Sequence, residues 1–301
     1  MLLVSGLWFG FIINQTLAGQ PACSITGGSD VLCHGNSTVW SAPEGMTGYF
    51  WTGPDGFSAS SKDITINTAG DYTLQVTDPY GSSSCQKHLA VYQELSPGLI
   101  NTTTRQFCTG GTTAIGGTTA PYGPASGGSG TFTYTWQMQE GCTGSWTDIP
   151  GTNSTSFTPP APLFTTCYRR KVTDQVCGNE AFTDAKRFEI YPDPVSQEIN
   201  PLPSSHVVCS GVPLSATFTG GSGGFPGGTT DVYEFSTDGG TTWNAYSPGI
   251  NIPTAGLSGS SLIQIRTRRI STGVNGCNYG SYAITSWSIN PTPSTSSIYH
   301  N

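Results

Sequence analysis

The sequence predicts an all-β protein built of tandem sandwich modules, and three observations carry that expectation. The first is composition. Thr, Tyr, Phe, Val and Ile recur in short runs punctuated by Gly, Pro, Ser and Asn, which reads as short strands joined by tight turns. The 301 residues include 40 Gly and 21 Pro, but also 11% aromatics and 7 Trp, anchors that disordered chains lack. The second is that no segment shows a sustained helical period with caps at both ends. The third is an internal repeat, which sets the number of modules at three.

Each unit opens with a cysteine followed by glycine: Cys33-His34-Gly35, Cys108-Thr109-Gly110 and Cys209-Ser210-Gly211. A Gly/Ser/Pro-rich stretch comes next. An aromatic strand follows at Tyr49-Phe50-Trp51, Tyr134-Thr135-Trp136 and Tyr233-Glu234-Phe235. Runs with alternating inward and outward residues come later, at 72–78, 168–174 and 263–268, as half-buried strands require. Another cysteine closes the pattern (Cys85, Cys177, Cys277), then a final strand at 89–92, 188–191 and 284–289. About seven short strands in about 80–95 residues fit an immunoglobulin-like sandwich. The second cysteine falls after the strand that would carry it in an antibody domain, so the bridges are expected at loops or edges.

The modules are expected at 23–96, 97–194 and 195–293. Residues 294–301 form a tail, either an end or a continuation into a longer parent protein. Pro97 and Gly98, then Pro192, Pro194, Pro201 and Pro203, mark linkers. Proline lacks a backbone donor and restricts φ, so the linkers are expected to be extended and semi-rigid, and the whole an extended rod.

Residues 1–22 are either a signal peptide or a retained apolar strand. The run LLVSGLWFGFII is too short to cross a membrane as a helix. With the small residues at Thr16-Leu17-Ala18 it is similar to a secretory signal cleaved near Ala18 or Ala22, although no Lys or Arg precedes it. If retained, it could complete a groove in a neighbouring subunit. No other stretch is apolar enough for a transmembrane helix. Both readings place the protein outside the cell, at the cell surface.

Nine cysteines in an exported chain with little Lys read as disulfides, and no C-x-x-C pair suggests zinc. The repeat suggests Cys33–Cys85, Cys108–Cys177 and Cys209–Cys277, each worth roughly 4 kcal/mol in the chain-entropy picture. Cys142 and Cys167 form a local staple on this reading. Cys23 is left over as a free or alternatively paired thiol, an intermolecular link, or a lipidation site behind a poor lipobox, Gln20-Pro21-Ala22.

The net charge of −7 and pI near 4.9 argue against nucleic acid, whose phosphates demand clustered Lys and Arg. The one dense basic group, Arg266, Arg268 and Arg269, alternates along a strand and is expected to face solvent. Enzyme motifs are missing: no H-E-x-x-H, no G-x-S-x-G, and no Lys-Ser/Thr after the Gly-rich run 220–225, which reads as a sandwich loop. A glycosidase needs two carboxylates that need not be near in sequence. Most of the 18 acids, however, sit in turns such as Asp55, Asp78, Asp174 and Asp238, where Asp is favoured for local hydrogen bonds. Those acids allow weak Ca²⁺ binding at most, and no other cofactor is expected. Four N-x-S/T sequons, at Asn14, Asn36, Asn101 and Asn153, and a Ser/Thr-rich surface raise glycosylation. Trp146, Trp243 and Tyr246 follow turns and are candidates for glycan contact, whereas Trp51 and Trp136 are expected in cores.

The run Gly-Asp-Tyr-Thr-Leu-Gln-Val-Thr-Asp at 70–78, after Phe50-Trp51 and Pro54-Asp55-Gly56-Phe57, resembles the PKD-like and Ig-like repeats of large exported Bacteroidetes surface proteins. The segment 165–177 and Ser236-Thr237-Asp238-Gly239-Gly240-Thr241-Thr242-Trp243 resemble a second repeat type from the same proteins. The resemblance covers nearly all of the chain after residue 22. It implies a non-catalytic adhesive or structural protein, such as an adhesin, a gliding-motility adhesin or an extracellular filament subunit, whose partners are copies of itself, neighbouring surface proteins or glycans. Such proteins usually end in a dedicated sorting domain, whereas this sequence stops at Ser297-Ile298-Tyr299-His300-Asn301, as expected either of a fragment of a longer protein or of a filament subunit that does not use that signal. The alternative expectation is a carbohydrate-binding accessory module of a larger secreted enzyme.

Overall fold

The computed structural model describes residues 19–117, 122–257, 261–274, 277 and 280–291. The N-terminal apolar run and the whole of the C-terminal tail lie outside these residues, so the alternatives drawn for them stay as expectations. Within the described residues the chain is all-β, three tandem immunoglobulin-like sandwiches, with a single 3-10 turn at Pro54–Gly56.

The first sandwich pairs two sheets. One runs Val31–Leu32, Gly81–Val91, Gly70–Asp78, Gly48–Thr52, Ser58–Ala59 in spatial order; the other is Thr26–Gly27, Thr38–Ser41, Asp63–Ile66. Alternation along Gly70–Asp78 turns Tyr72, Leu74 and Val76 inward onto Trp40, Trp51 and Leu89, all buried. The second repeats the larger sheet as Arg105–Cys108, Lys186–Tyr191, Thr166–Asp174, Phe132–Glu140, Thr147–Asp148, over a core of Phe107, Ile115, Trp136, Tyr168 and Phe188. The third repeats it as Val207–Cys209, Ala283–Asn290, Ser261–Ser271, Thr229–Ser236, Asn244–Ala245, over Leu214, Ile263, Ile265, Trp287 and Ile289. Each large indole finds a carbonyl for its N–H: Trp40 donates to Ser29, Trp51 to Ser61, Trp136 to Ser154 and Trp287 to Pro203. Burial of these rings therefore leaves no polar atom unpaired.

By compactness the described residues form two units. One runs to Ser96 and includes Ser126–Phe132 and Asp174–Asn179; the other comprises Pro97–Ala125, Thr133–Thr173 and the chain from Glu180 onward.

In all three modules the opening strand lies parallel to the last. Val31 pairs with Ala90, Arg105 with Phe188 and Val207 with Ser288. This register overturns the within-module disulfides. Cys33 follows Leu32, which sits opposite Val91, while Cys85 lies near the start of that last strand. At about 3.3 Å per residue the stretch from Cys85 to Tyr92 is roughly 23 Å long, far beyond the reach of a disulfide. The opening and later cysteines of one module thus sit at opposite ends of it. The structure instead joins Cys23 to Cys85, Cys33 to Cys177, Cys108 to Cys277 and Cys142 to Cys167, with Cα–Cα distances of 5.6, 5.7, 4.6 and 5.0 Å. Cys23, expected to be left over, is bonded; Cys209, expected to pair with Cys277, is free and exposed.

Candidate functional site

The features most worked into the structure are the two places where a linker enters the next module. At the first, Gln93–Ser96 runs antiparallel to Ser126–Gly128, pairing Ser96 with Ser126 and Gln93 with Gly128. The approach is close enough that a Cβ on Gly127, at φ +72°, would lie 1.9 Å from the Glu94 carbonyl oxygen. Only glycine suits such a contact.

Asp174, fully buried, holds the same loops. Its carboxylate accepts hydrogen bonds from the Ser129 N–H (2.6 Å) and hydroxyl (2.7 Å) and from the N–H groups of Val176 (2.9 Å) and Cys177 (3.0 Å). Burial by itself would raise its pKa. The donors of Cys177, Ser129 and Val176 outweigh that effect and hold the carboxyl well below the usual carboxylate range. Cys177, on the same loop, is the partner of Cys33.

The second linker docks by the same device. Val195 and Ser222 exchange two backbone hydrogen bonds of 2.8 and 3.1 Å, and the Gly224 N–H donates to the Pro192 carbonyl at 2.8 Å. A Cβ on Gly223, at φ +70°, would meet the Asp193 carbonyl oxygen at 2.1 Å. Where the first junction has Asp174 at the end of its strand, this one has Ser271. Its hydroxyl oxygen accepts the Phe225 N–H at 2.7 Å. Tyr191 packs edge-on against Phe225 at 5.4 Å between ring centroids. The bond Cys108–Cys277 ties the second module's opening strand to the loop before the third module's last strand.

The Gly-rich run 220–225, expected to be a plain sandwich loop, is therefore the docking surface of a linker. Its counterpart, Ser126-Gly127-Gly128-Ser129-Gly130, was not singled out. The available signal was recurrence: both runs precede the aromatic strand in the two modules that follow a linker. The corresponding stretch of the first module, Ala42-Pro43-Glu44-Gly45-Met46, has no such run.

Arg170 secures the start of the second unit. It is fully buried with no carboxylate partner among the described residues, and its guanidinium donates to the carbonyls of Thr155, Pro97 and Gly123, each at 2.7 Å. Burial pulls its pKa below the ordinary arginine value. Lys186, also buried, donates to Asn101 Oδ1 and the Thr103 carbonyl and is pushed down to about 8 by desolvation and by Arg105.

The candidate glycan residues fall in different environments. Tyr246 is buried, its hydroxyl accepting the Ala216 N–H and donating to the Ile250 carbonyl, so it belongs to the core and is corrected as a contact residue. Trp146 and Trp243 are half-buried. The Arg169 guanidinium lies 4.4 Å from the Trp146 centroid and 4.2 Å from that of Phe182; Arg266 lies 3.7 Å from Trp243 and 4.0 Å from Tyr282. Each indole thus has a cation on one face. The basic group expected to face solvent is largely engaged: Arg266 pairs with Glu234, Arg269 with Asp231, and Arg268 stacks on Tyr282.

The turn acids Asp78 and Asp238 are occupied by their own loops. Asp78 accepts the Tyr80 N–H, and Asp238 accepts from the Ser236 hydroxyl and from both donors of Thr242. The sequon amides Asn101 and Asn153 accept protein donors. Among the described residues no group of three His, Cys, Asp or Glu is placed to hold a metal ion, and no helix is long and apolar enough to cross a membrane. An open, polar cavity of about 380 Å³ is lined by residues including Arg105, Phe107, Thr112 and Gly273.

Residues 96–191 match the family described as Domain of unknown function (DUF8696). No curated protein matches the chain. Among solved structures, the I-band fragment I67–I69 of titin is similar at 15% identity and a TM-score of 0.44, covering 91% of this chain and 99% of that one. The three N-terminal domains of the outer capsid protein Hoc of bacteriophage RB49 match at 12% identity and a TM-score of 0.37, covering 90% and 99%. Extracellular domains 3–5 of Drosophila OTK match at 10% and 0.31, covering 92% and 96%. Likeness at this level says nothing of function.

Proposed function

We propose that this chain is a non-catalytic, exported structural or adhesive protein of the cell surface, whose consecutive modules are locked to one another. The observation that carries the reading is the pair of bonds Cys33–Cys177 and Cys108–Cys277, each tying the opening strand of one module to the loop before the last strand of the next. Disulfides persist in oxidising compartments, in keeping with export. A chain that spends its buried Asp174, its buried Arg170 and its closest glycine contacts on holding linkers is organised to keep modules together. The resemblance to exported PKD-like and Ig-like repeats supports the same reading.

Pulling the full chain by its ends tests it. With the disulfides intact, much of the segment between residues 33 and 277 is withheld from the extended contour; reduction releases it. The expected result is a distinctly larger length gain after reduction. Equal gains in both states would mean that the bonds bear no load. The carbohydrate-binding alternative predicts saturable binding on a glycan array that Trp243→Ala abolishes. The cation on one face of each indole favours the structural reading, and hence no such binding.

A further inference from the structure

We propose that the side chains of Lys186 and Asn101 condense to an amide, with loss of ammonia, and so form a covalent cross-link inside the second module. The inference goes beyond the structural reading above and does not depend on it.

Lys186 differs from the other lysines in its surroundings. Lys62, Lys87 and Lys171 pair with Glu44, Asp30 and Asp148, and each keeps some exposure. Lys186 is 1% exposed and has no carboxylate partner among the described residues. It opens the last strand of the module, Lys186–Tyr191, on the same inward face as Phe188. Burying an ammonium without a counter-charge is unfavourable, so the neutral amine gains. Desolvation, together with Arg105 on the opening strand, pushes its pKa down to about 8. Tyr168, opposite it on the neighbouring strand, is shifted upward by burial and supplies no negative charge. The neutral amine is the nucleophilic form of lysine.

The hydrogen bonds set this amine beside an oriented carboxamide. Nζ lies 2.6 Å from the Thr103 carbonyl oxygen and 3.2 Å from Asn101 Oδ1. The Thr103 N–H donates to the same Oδ1 at 3.0 Å. That turn fixes the direction of the Asn101 side chain. It also places a donor on the oxygen where negative charge develops when the carbonyl carbon is attacked. Both residues belong to one compact unit, and their proximity makes the reaction intramolecular.

In the reaction the Nζ lone pair attacks Asn101 Cγ and the Nζ–Cγ bond forms. A proton passes from Nζ to Nδ2 through water, which reaches the half-buried Asn101. The Cγ–Nδ2 bond then breaks and ammonia leaves. Amine and carboxamide become a substituted amide and ammonia, with no oxidant and no co-reactant. The new N–H keeps the Thr103 carbonyl as acceptor, the amide oxygen keeps the Thr103 N–H as donor, and the buried charge is gone. The link joins residues 85 apart in sequence and ties the start of the second module to its last strand.

The test is peptide mapping of the full chain, kept folded at mildly alkaline pH and then reduced and alkylated. A branched peptide should join Asn101 to Lys186, lighter than its two parts by one ammonia and uncut by trypsin at Lys186. Asn101→Ala, a change at a half-buried side chain, should give the unlinked peptides. When the reduced chain is pulled by its ends, the segment 101–186 should stay withheld in the native protein and be released in Asn101→Ala. Unlinked peptides from the native chain, ammonia loss confined to Asn101 as a succinimide, a glycan on Asn101, or a bond from Lys186 to another residue would each overturn the proposal. The mapping of the native chain decides it whether or not the variant folds. None of these results changes the direction of the disulfide pulling test, since reduction still releases the chain outside 101–186.

Discussion

The two junctions use one plan with different chemistry at its centre. Each docks a linker backbone against a glycine-rich loop and ties an opening strand to the loop before the next module's last strand. The first places an ionised carboxylate, Asp174, at the end of its strand and satisfies it with four donors. The second has a neutral hydroxyl, Ser271, with one backbone donor and an aromatic pair beside it. The repeated element is the backbone contact; the side chain that secures it differs between the two copies. A buried charge with all its acceptor sites filled is strong but titratable, whereas a hydroxyl and a ring pair are weaker and indifferent to acid.

The largest test of that contrast is to remove both side chains. Asp174→Ala strands four donors and is expected to cost about 4 kcal/mol. Ser271→Ala strands one and is expected to cost about 1–2 kcal/mol. Hydrogen exchange should show protection lost at 93–96 and 126–132 in the first variant, with a smaller loss at 192–196 and 222–225 in the second. Equal losses would remove the distinction.

The shared backbone device predicts equality instead. Gly127→Val and Gly223→Val each push a side chain into a carbonyl oxygen at positive φ. Each is expected to destabilise its own junction by about 2–3 kcal/mol, read as the drop in denaturation midpoint. If only one of them responds, the two junctions are not the same structure.

Acid should separate them. The pKa of Asp174 is lowered in the folded protein, so its stabilisation is complete above the unfolded value of about 3.9 and is lost as pH falls from there towards the folded value. Between about pH 6 and about pH 3 the first junction is expected to lose about 1 kcal/mol of protection, corrected for intrinsic exchange rates, while the second keeps its own. The smallest effect concerns the arginine stacks outside the junctions. Trp146→Ala and Trp243→Ala should each cost about 1 kcal/mol in thermal stability and leave exchange at both linkers unchanged.

Much of this was legible in the order of residues. Period-2 alternation at 72–78, 168–174 and 263–268, together with an aromatic strand and a Cys-x-Gly turn in each unit, specifies sandwich modules because side-chain direction along a strand depends only on parity. Which cysteines bridge was legible only in part, since Cys23 is bonded and Cys209 is free, the reverse of the expectation. Their partners were not. Pairing depends on whether the opening strand lies parallel or antiparallel to the last, and that choice is made by hydrogen bonding between segments some sixty to ninety residues apart. The parallel register moved Cys33 away from Cys85, brought Cys23 into a bond and left Cys209 without one. The same holds for Gly127 and Gly223, which look like ordinary loop glycines until a carbonyl from the preceding linker is found against them, and for Tyr246, which follows a turn like an exposed residue yet sends its hydroxyl into the core. Sequence by itself determined the strands, their inward faces and the number of modules, since these follow from local alternation and turn chemistry. Only the tertiary structure decided which ends meet, because that is set by the register between strands distant in the chain.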